Sequence, residues 1–257
     1  MFIDLKKAKK ELIKYVENYD LKNERIKLKL KHTLKVMEAS EKLAKKLKLG
    51  QEDVEIATLI GLLHDIGRFE QVKRFDTFVD SKSVNHGELG VEILFDDNFI
   101  RNFVQQDSYD KIIKIAILNH NREGIQQGLS DRELLHCKII RDADKIDIYR
   151  VLEEEPIHAI YGCDSMQNQE ISDDILFDFF ENKLIDYNKR KTDADKFVCH
   201  VAYVFDFYFD YSLKIIKDKK YIEKLVKRID FKNEKTIEQV NKMLKFTNEY
   251  IQNRLKK

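Results

Sequence analysis

A single proline, Pro156, and eight glycines in 257 residues leave this chain few places to turn sharply. Lys, Leu, Glu and Ile abound, and that composition suits helices rather than strands. The expected fold class is therefore all-α. With 43% hydrophobic and 36% charged residues, the chain can bury a sizeable core in one or two closely packed units. A net charge of +1 gives no sign of a nucleic-acid-binding or membrane-surface protein. The three cysteines, Cys137, Cys163 and Cys199, are isolated and form no Cys-x-x-Cys pair, so neither a disulfide framework nor a thiolate zinc site is expected.

The start, Met1-Phe2-Ile3-Asp4-Leu5-Lys6-Lys7, lacks the apolar core and cleavage site of a signal peptide. The most apolar stretch, Phe197 to Ile216, is interrupted by Asp206, Asp210 and Lys214 and reads as one buried helix, not a membrane span. A cytoplasmic protein is the expectation.

Helical periodicity predicts elements over 5–19 and 25–47, the second ended by Gly50 and carrying His32 on or near its buried stripe. A third runs over 53–64, with Gly67 releasing the chain into a loop from Arg68 to Ser83 that reads as a lid or substrate loop. Ser83 is expected to cap a helix over 84–95 that carries His86. A helix over 109–119 delivers His120 at its end. Ser130-Asp131-Arg132-Glu133 fits a capping box that opens a long helix holding Asp142 and Asp144. Two domains are expected: a metal-binding helical core over 1–155 and a C-terminal helical extension over 156–257, packed on the core. In the extension, helices are predicted at 171–190, 193–217, 218–229 and 234–255.

Within Leu62-Leu63-His64-Asp65-Ile66-Gly67-Arg68, adjacent histidine and aspartate put a neutral nitrogen donor beside an anionic oxygen donor. Such a pair holds a divalent cation when further ligands arrive from distant segments. His32, His86, His120 and the Asp142-Ala143-Asp144 cluster are those candidates. His32, His64, Asp65 and Asp144 make an N2O2 set, which suits Mn, Fe, Co, Ni or Zn better than Mg or Ca. His86 and His120 could add a second ion, with Asp65 bridging through its two oxygens. Asp142 and Asp144 point roughly 200° apart on a helix, so both cannot face one metal. His136, His158 and His200 read as structural histidines.

The ordered set His32, His64-Asp65, His86, His120, Asp144, with Lys31-His32-Thr33-Leu34 and the runs HDIGR at 64–68 and ADKID at 143–147, resembles the HD superfamily of metal-dependent phosphohydrolases over roughly residues 25 to 150. That resemblance implies an HD-domain helical bundle with additional C-terminal helices. Through its Ala-Asp-Lys-hydrophobic run it selects Asp144 as the last metal ligand and leaves Asp142 to pair with Arg141 or orient a ligand histidine. Its two-metal members hold ions about 3.5–4 Å apart that share a hydroxide, and Asp65 would be the bridging catalytic ligand here.

Arg68 and Lys145 are the expected contacts to an anionic substrate, Arg68 through a forked grip on phosphate oxygens. The implied activity is hydrolysis of a phosphate mono- or diester, on a nucleotide or another small phosphorylated metabolite. The same ligand pattern also resembles di-iron oxygenases, and a regulatory metal-dependent binding module is a third reading. Asn119-His120-Asn121 departs from the His-His-Glu of cyclic-dinucleotide phosphodiesterases, and no Gly-Tyr-Pro follows. Neither the substrate nor the oligomeric state follows from the sequence.

Overall fold

The computed structural model describes residues 3–96 and 98–256, and among these it contains helices and turns but no strand. Residues 1–147 and 148–257 form two compact units. None of the helices is long and apolar enough to cross a membrane among the described residues.

The first unit is built from α1 (Leu5–Val16), α2 (Glu24–Lys46), α3 (Gln51–Leu63), α4 (Ile66–Phe75), α5 (His86–Phe95), α6 (Asp110–His120) and most of α7 (Asp131–Glu154). Helix α3 is its centre. Every residue from Val54 to Leu63 is buried, Glu55 and Thr58 included, as expected of a helix enclosed on all sides rather than one lying on a surface. Its neighbours are α1, α2 and α6. The two buried polar groups are provided for: Glu55 accepts from the Ile3 amide at 2.7 Å, and the Thr58 hydroxyl donates to the Val54 carbonyl at 2.7 Å.

Close approach of α2 and α3 depends on Gly61. A Cβ there would lie 2.7 Å from Ser40 Oγ and 3.0 Å from Met37 Cα. Any side chain at this position would push apart the two helices that carry His32 and the His64-Asp65 doublet.

Side chains cap several of the helix starts. The Asn23 side chain accepts from the Arg25 amide at the start of α2. The capping box expected at the start of α7 is present: Ser130 N donates to Glu133 Oε2 at 2.8 Å, and Glu133 N donates to Ser130 Oγ at 3.3 Å.

Five local expectations are corrected. Gly50 does not end α2; Lys48 takes the left-handed turn (φ 56°), and Gly50 is the N-cap of α3. Helix α5 is capped by Asn85 rather than Ser83, its side chain accepting from the amides of Gly87 and Glu88. Gly67 does not release a loop, because α4 runs through it to Phe75 and Asp76 makes the left-handed stop (φ 48°). The connection therefore begins at Asp76, with a short 3-10 turn over Asp80–Lys82. Gly67 is needed for contact instead: a Cβ there would lie 2.3 Å from the His86 carbonyl and 2.7 Å from Gly90 N.

The fourth and fifth corrections lie in the second unit, which holds the end of α7, then α8 (Ile157–Tyr161), α9 (Asp173–Phe180), α10 (Asp193–Ala202), α11 (Asp210–Lys219), α12 (Tyr221–Ile229) and α13 (Glu234–Leu255). The apolar run from Phe197 to Ile216 is not one helix. It breaks into the end of α10, a 3-10 turn at Tyr203–Asp206, extended residues near Phe207 and Phe209, and α11. The break is held by Arg254, which donates to the carbonyls of Phe207 (2.6 Å) and Tyr208 (3.0 Å), backbone groups that a continuous helix would have used itself. The helix expected over 171–190 is likewise reduced to α9, after which Asn182 adopts a left-handed turn (φ 56°). Asp195 organises this region by accepting from the amides of Ser172, Lys191 and Thr192 at 2.8–3.1 Å.

Candidate metal centre

The first unit brings His32, His64, Asp65, His86, His120 and Asp144 together. His64 and His120 reach the cluster by the same local device. Each sits at the C-terminal end of its helix and turns Nδ1 onto a carbonyl three residues back, His64 to Gly61 O at 2.8 Å and His120 to Ile117 O at 2.6 Å. Carbonyls in a last helical turn lack an amide partner, so the imidazole satisfies a group that would otherwise be bare. His32, in the middle of α2, uses Asp147 Oδ2 on α7 at 2.8 Å. His86, the first residue of α5, uses Asp80 Oδ2 at 2.6 Å.

All four acceptors are carbonyl or carboxylate oxygens, which cannot donate, so each Nδ1 carries the hydrogen and each Nε2 is left with a lone pair. These lone pairs converge. Neighbouring ring centroids are 5.4 Å apart for His32 and His64, 5.2 Å for His64 and His120, and 4.9 Å for His86 and His120.

Asp65 lies between them. It occupies the N-cap position of α4 but makes no side-chain cap, although aspartate is among the best N-capping residues. Its oxygens face the histidines. Oδ2 is 3.5 Å from Nε2 of both His32 and His64, and Oδ1 is 3.4 Å and 3.7 Å from Nε2 of His86 and His120. Asp144 Oδ1 stands 3.0 Å from His32 Nε2 and 3.7 Å from His64 Nε2. Two groups have ligand atoms close enough to hold an ion, His32–His64–Asp144 and His64–Asp65–His120.

The donor set fits divalent cations. Nε2 of His32 and of His64 is sealed from solvent without a hydrogen-bond partner. Nε2 of His86 and His120 lie 2.9 Å apart, two acceptors facing each other with no hydrogen to share. Bare lone pairs in a buried site are costly, and a cation among them removes the penalty.

Burial is the first cause that holds His64 down at about 4, against the opposing pull of Asp65 and Asp144, while burial and then the Arg68 charge hold His86 at about 3, so both are neutral ligands near neutral pH. For His32, burial and Lys29 act downward but are outweighed by Asp144 and Asp147, and its pKa is raised. Asp65 lies well below the usual carboxylate range: burial opposes this, but Lys29 and then His64 outweigh it.

Three contributors were not legible beforehand. Lys29, one turn before His32, donates from Nζ to Asp65 Oδ2 at 2.7 Å and lies over the Phe78 ring at 5.2 Å. Asp147 and Asp80 orient histidines from outside the cluster. An acidic residue at i+3 from Asp144 was the available signal for Asp147, because it shares that helical face; nothing local marks Asp80.

Of the two expected substrate contacts, Arg68 points toward the cluster but is engaged. Its Nη1 donates to Gln71 Oε1 (2.7 Å), Phe78 O (2.6 Å) and Asp80 Oδ1 (2.7 Å), while Nε lies 3.6 Å from Asp65 Oδ1. Lys145, next to Asp144, is buried and has partners of its own. Asp142 is fully buried, and Arg141 donates to the carbonyls of Asn119, Arg122 and Glu123, bracing the turn that follows His120. None of His136, His158 and His200 joins a ligand group among the described residues.

The first unit is helical among its described residues and gathers histidine and aspartate around one carboxylate, an arrangement that could hold divalent metal. Residues 30–149 match the family described as the HD domain, and this segment of the chain is an HD domain. HD domains bind divalent metals and form a superfamily of metal-dependent hydrolases. Comparison with curated proteins and with solved structures finds no match.

Proposed function

We propose that the chain hydrolyses a phosphate mono- or diester of a nucleotide or other small phosphorylated metabolite, using two divalent transition-metal ions. His32, His64, Asp144 and one oxygen of Asp65 would hold one ion. His86, His120 and the other oxygen of Asp65 would hold the second. The observation that carries this reading is the tethering of four imidazoles through Nδ1, which turns four Nε2 atoms toward the two oxygens of a single carboxylate. When bound, paired divalent ions activate water near neutral pH and neutralise charge on a phosphoryl group.

The rest of the work falls to the chain. Burial of the cluster keeps water from competing for the ligands and strengthens each electrostatic contact there. Lys29 and Arg68 supply positive charge beside Asp65, as phosphoryl transfer requires. Arg68 has Nη1 committed to the loop, so Lys29 joins it and Lys145 as a proposed substrate contact. With Asp65 engaged in holding metal, the Lys29 ammonium, which now pairs with Asp65 Oδ2, would be available to a substrate phosphate. Phe78, half-buried with Lys29 on one side and Arg68 Cζ 5.7 Å from its ring centroid, fixes the reach of both cations.

The test is a panel of phosphoesters and nucleotides incubated anaerobically with protein loaded with Mn, Fe, Co or Ni. Release of phosphate or of the alcohol without oxygen is the expected result. Turnover that strictly needs iron and O2, with no phosphoester cleaved, would establish the oxygenase reading in its stead. Lys29→Met should raise KM or lower kcat/KM by about 10-fold or more, the scale of a charged contact, at unchanged metal content.

A further inference from the structure

Asp80 belongs to neither ligand group, yet its carboxylate ties four parts of the first unit together. It opens the 3-10 turn in the connection between α4 and α5. Oδ2 accepts from His86 Nδ1 at 2.6 Å and from Asn121 Nδ2, just past α6, at 3.3 Å. Oδ1 accepts from Arg68 Nη1 at 2.7 Å and Gln71 Nε2 at 3.0 Å, both on α4. Gln71, itself fully buried, also donates to Ser83 Oγ and Val84 O. The connection is thus fastened to α4 along its length and to the cluster at one point.

That point differs in kind from the other three tethers. His64 and His120 lean on carbonyls within their own helices, and His32 leans on a residue of helix α7. Only the tether of His86 hangs on a connecting segment. A ligand whose orientation is fixed by a loop is fixed no better than the loop.

We propose that Asp80 is the positioning residue for the second metal pole, and that through it the 76–84 connection and the ion at His86 and His120 stabilise each other. This rests on the two-ion reading above. The carboxylate fixes the imidazole tautomer and aims Nε2 at the cluster, raising its donor strength. An ion on Nε2 in turn makes Nδ1–H a stronger donor to Asp80. Linkage makes the effect reciprocal: whatever the closed connection adds to ion binding, the ion adds to closure. The connection is then held most firmly when the second ion is present.

Full-length, metal-free protein is titrated with Mn or Co, with ion content read by elemental analysis after dialysis and affinities read by calorimetry. Wild type should take up two ions. Asp80→Ala should weaken the second site by about 10- to 100-fold, the usual effect of losing such a partner, and leave the first within about 2-fold. First-site affinity and helical circular dichroism report that the variant is folded. Asp80→Asn, which still accepts a hydrogen bond but lacks the charge, should fall between. His86→Ala should lose the second ion, and adding Asp80→Ala to it should cost nothing more.

Hydrogen exchange supplies a readout independent of turnover. The second ion should slow amide exchange over 77–84 in wild type and not in Asp80→Ala. Equal second-site affinity in wild type and Asp80→Ala, equal weakening of both sites, or undiminished protection of 77–84 in the variant would overturn the proposal. A wild type that binds only one ion would instead end the two-ion reading, and this proposal with it.

Discussion

His64 in the first unit and His200 in the second are alike in burial and in lowered pKa, and unlike in what surrounds them. Loss of solvent is the first cause that lowers both, His64 to about 4 and His200 to about 3. Each has one ring nitrogen sealed from water without a partner, Nε2 in His64 and Nδ1 in His200. His200, however, packs beside the rings of Tyr161 and Tyr203, with centroids 5.3 Å and 5.5 Å away, and joins no ligand group among the described residues. His136 is a third case, giving Nε2 to Asp53 Oδ1 at 3.0 Å. For a histidine, then, a depressed pKa follows from burial and does not by itself mark a ligand. What separates a candidate ligand from a packing histidine is a tether on the far nitrogen and company on the near one.

Asp65→Ala should break the comparison most completely. It removes both oxygens around which the four Nε2 atoms gather, so metal content should fall to background at both poles and turnover should vanish, with helical content retained. Full occupancy in that variant would refute the assignment of the cluster. His200→Gln should leave metal content at the wild-type level.

The double variant His86→Ala/His120→Ala is the next largest step. It should reduce about two ions per chain to about one, whereas His136→Gln should change nothing that elemental analysis can read. Unchanged stoichiometry in the double variant would move His86 and His120 into the same group as His136.

Arg68→Ala should act more mildly. Metal content at the first pole should persist, and kcat/KM should fall about 10- to 1000-fold, or about 1.4–4 kcal/mol. Because Nη1 holds Asp80 and Phe78 O, part of that loss should appear as faster amide exchange over 77–84, and Arg68→Lys should recover only some of it. Normal turnover would remove Arg68 from the site.

The inner ring of this site was legible in sequence because its members are of metal-binding type, ordered along helices whose periodicity is plain. The helical class followed from the scarcity of proline and glycine. What stayed hidden depends on contacts between distant segments. Gly67 reads as a helix breaker, and only the nearby backbone of His86 and Gly90 shows that it is a contact residue inside α4. The Phe197–Ile216 run has the apolarity of one helix, but Arg254, far along the chain, takes the carbonyls that break it. Asp80 and Lys29 are ordinary charged residues in a chain that is 36% charged, with no local pattern to distinguish them, and Asp147 is marked only by its i+3 spacing from Asp144.

The smallest effect expected is a difference in how the two units respond to acid. In metal-free protein, His64, His86 and His200 have folded pKa values below the unfolded value of about 6.5. Each contributes stability that is fully present above that value and is lost as pH falls through about 4 for His64 and about 3 for the other two. His32 has the opposite sign: its raised pKa contributes stability present below about 6.5 and lost as pH rises through the folded value. In the first unit His64, His86 and His136, the last also lowered mainly by burial, oppose His32, so acidification from pH 6.5 to 4 should lower the unfolding midpoints of both units, by about 2–8 °C for each kcal/mol lost in units of this size. Saturating Mn at pH 6.5 should raise the midpoint of the first unit and leave that of the second where it was, because ligands add stability only to the state that binds them. His200→Gln should flatten the acid response of the second unit without touching the Mn response of the first. Scanning thermal unfolding across pH, with and without Mn, checks both. A Mn response in the second unit, or one in the first that survives Asp65→Ala, would show that the two kinds of buried histidine are not separable in this way.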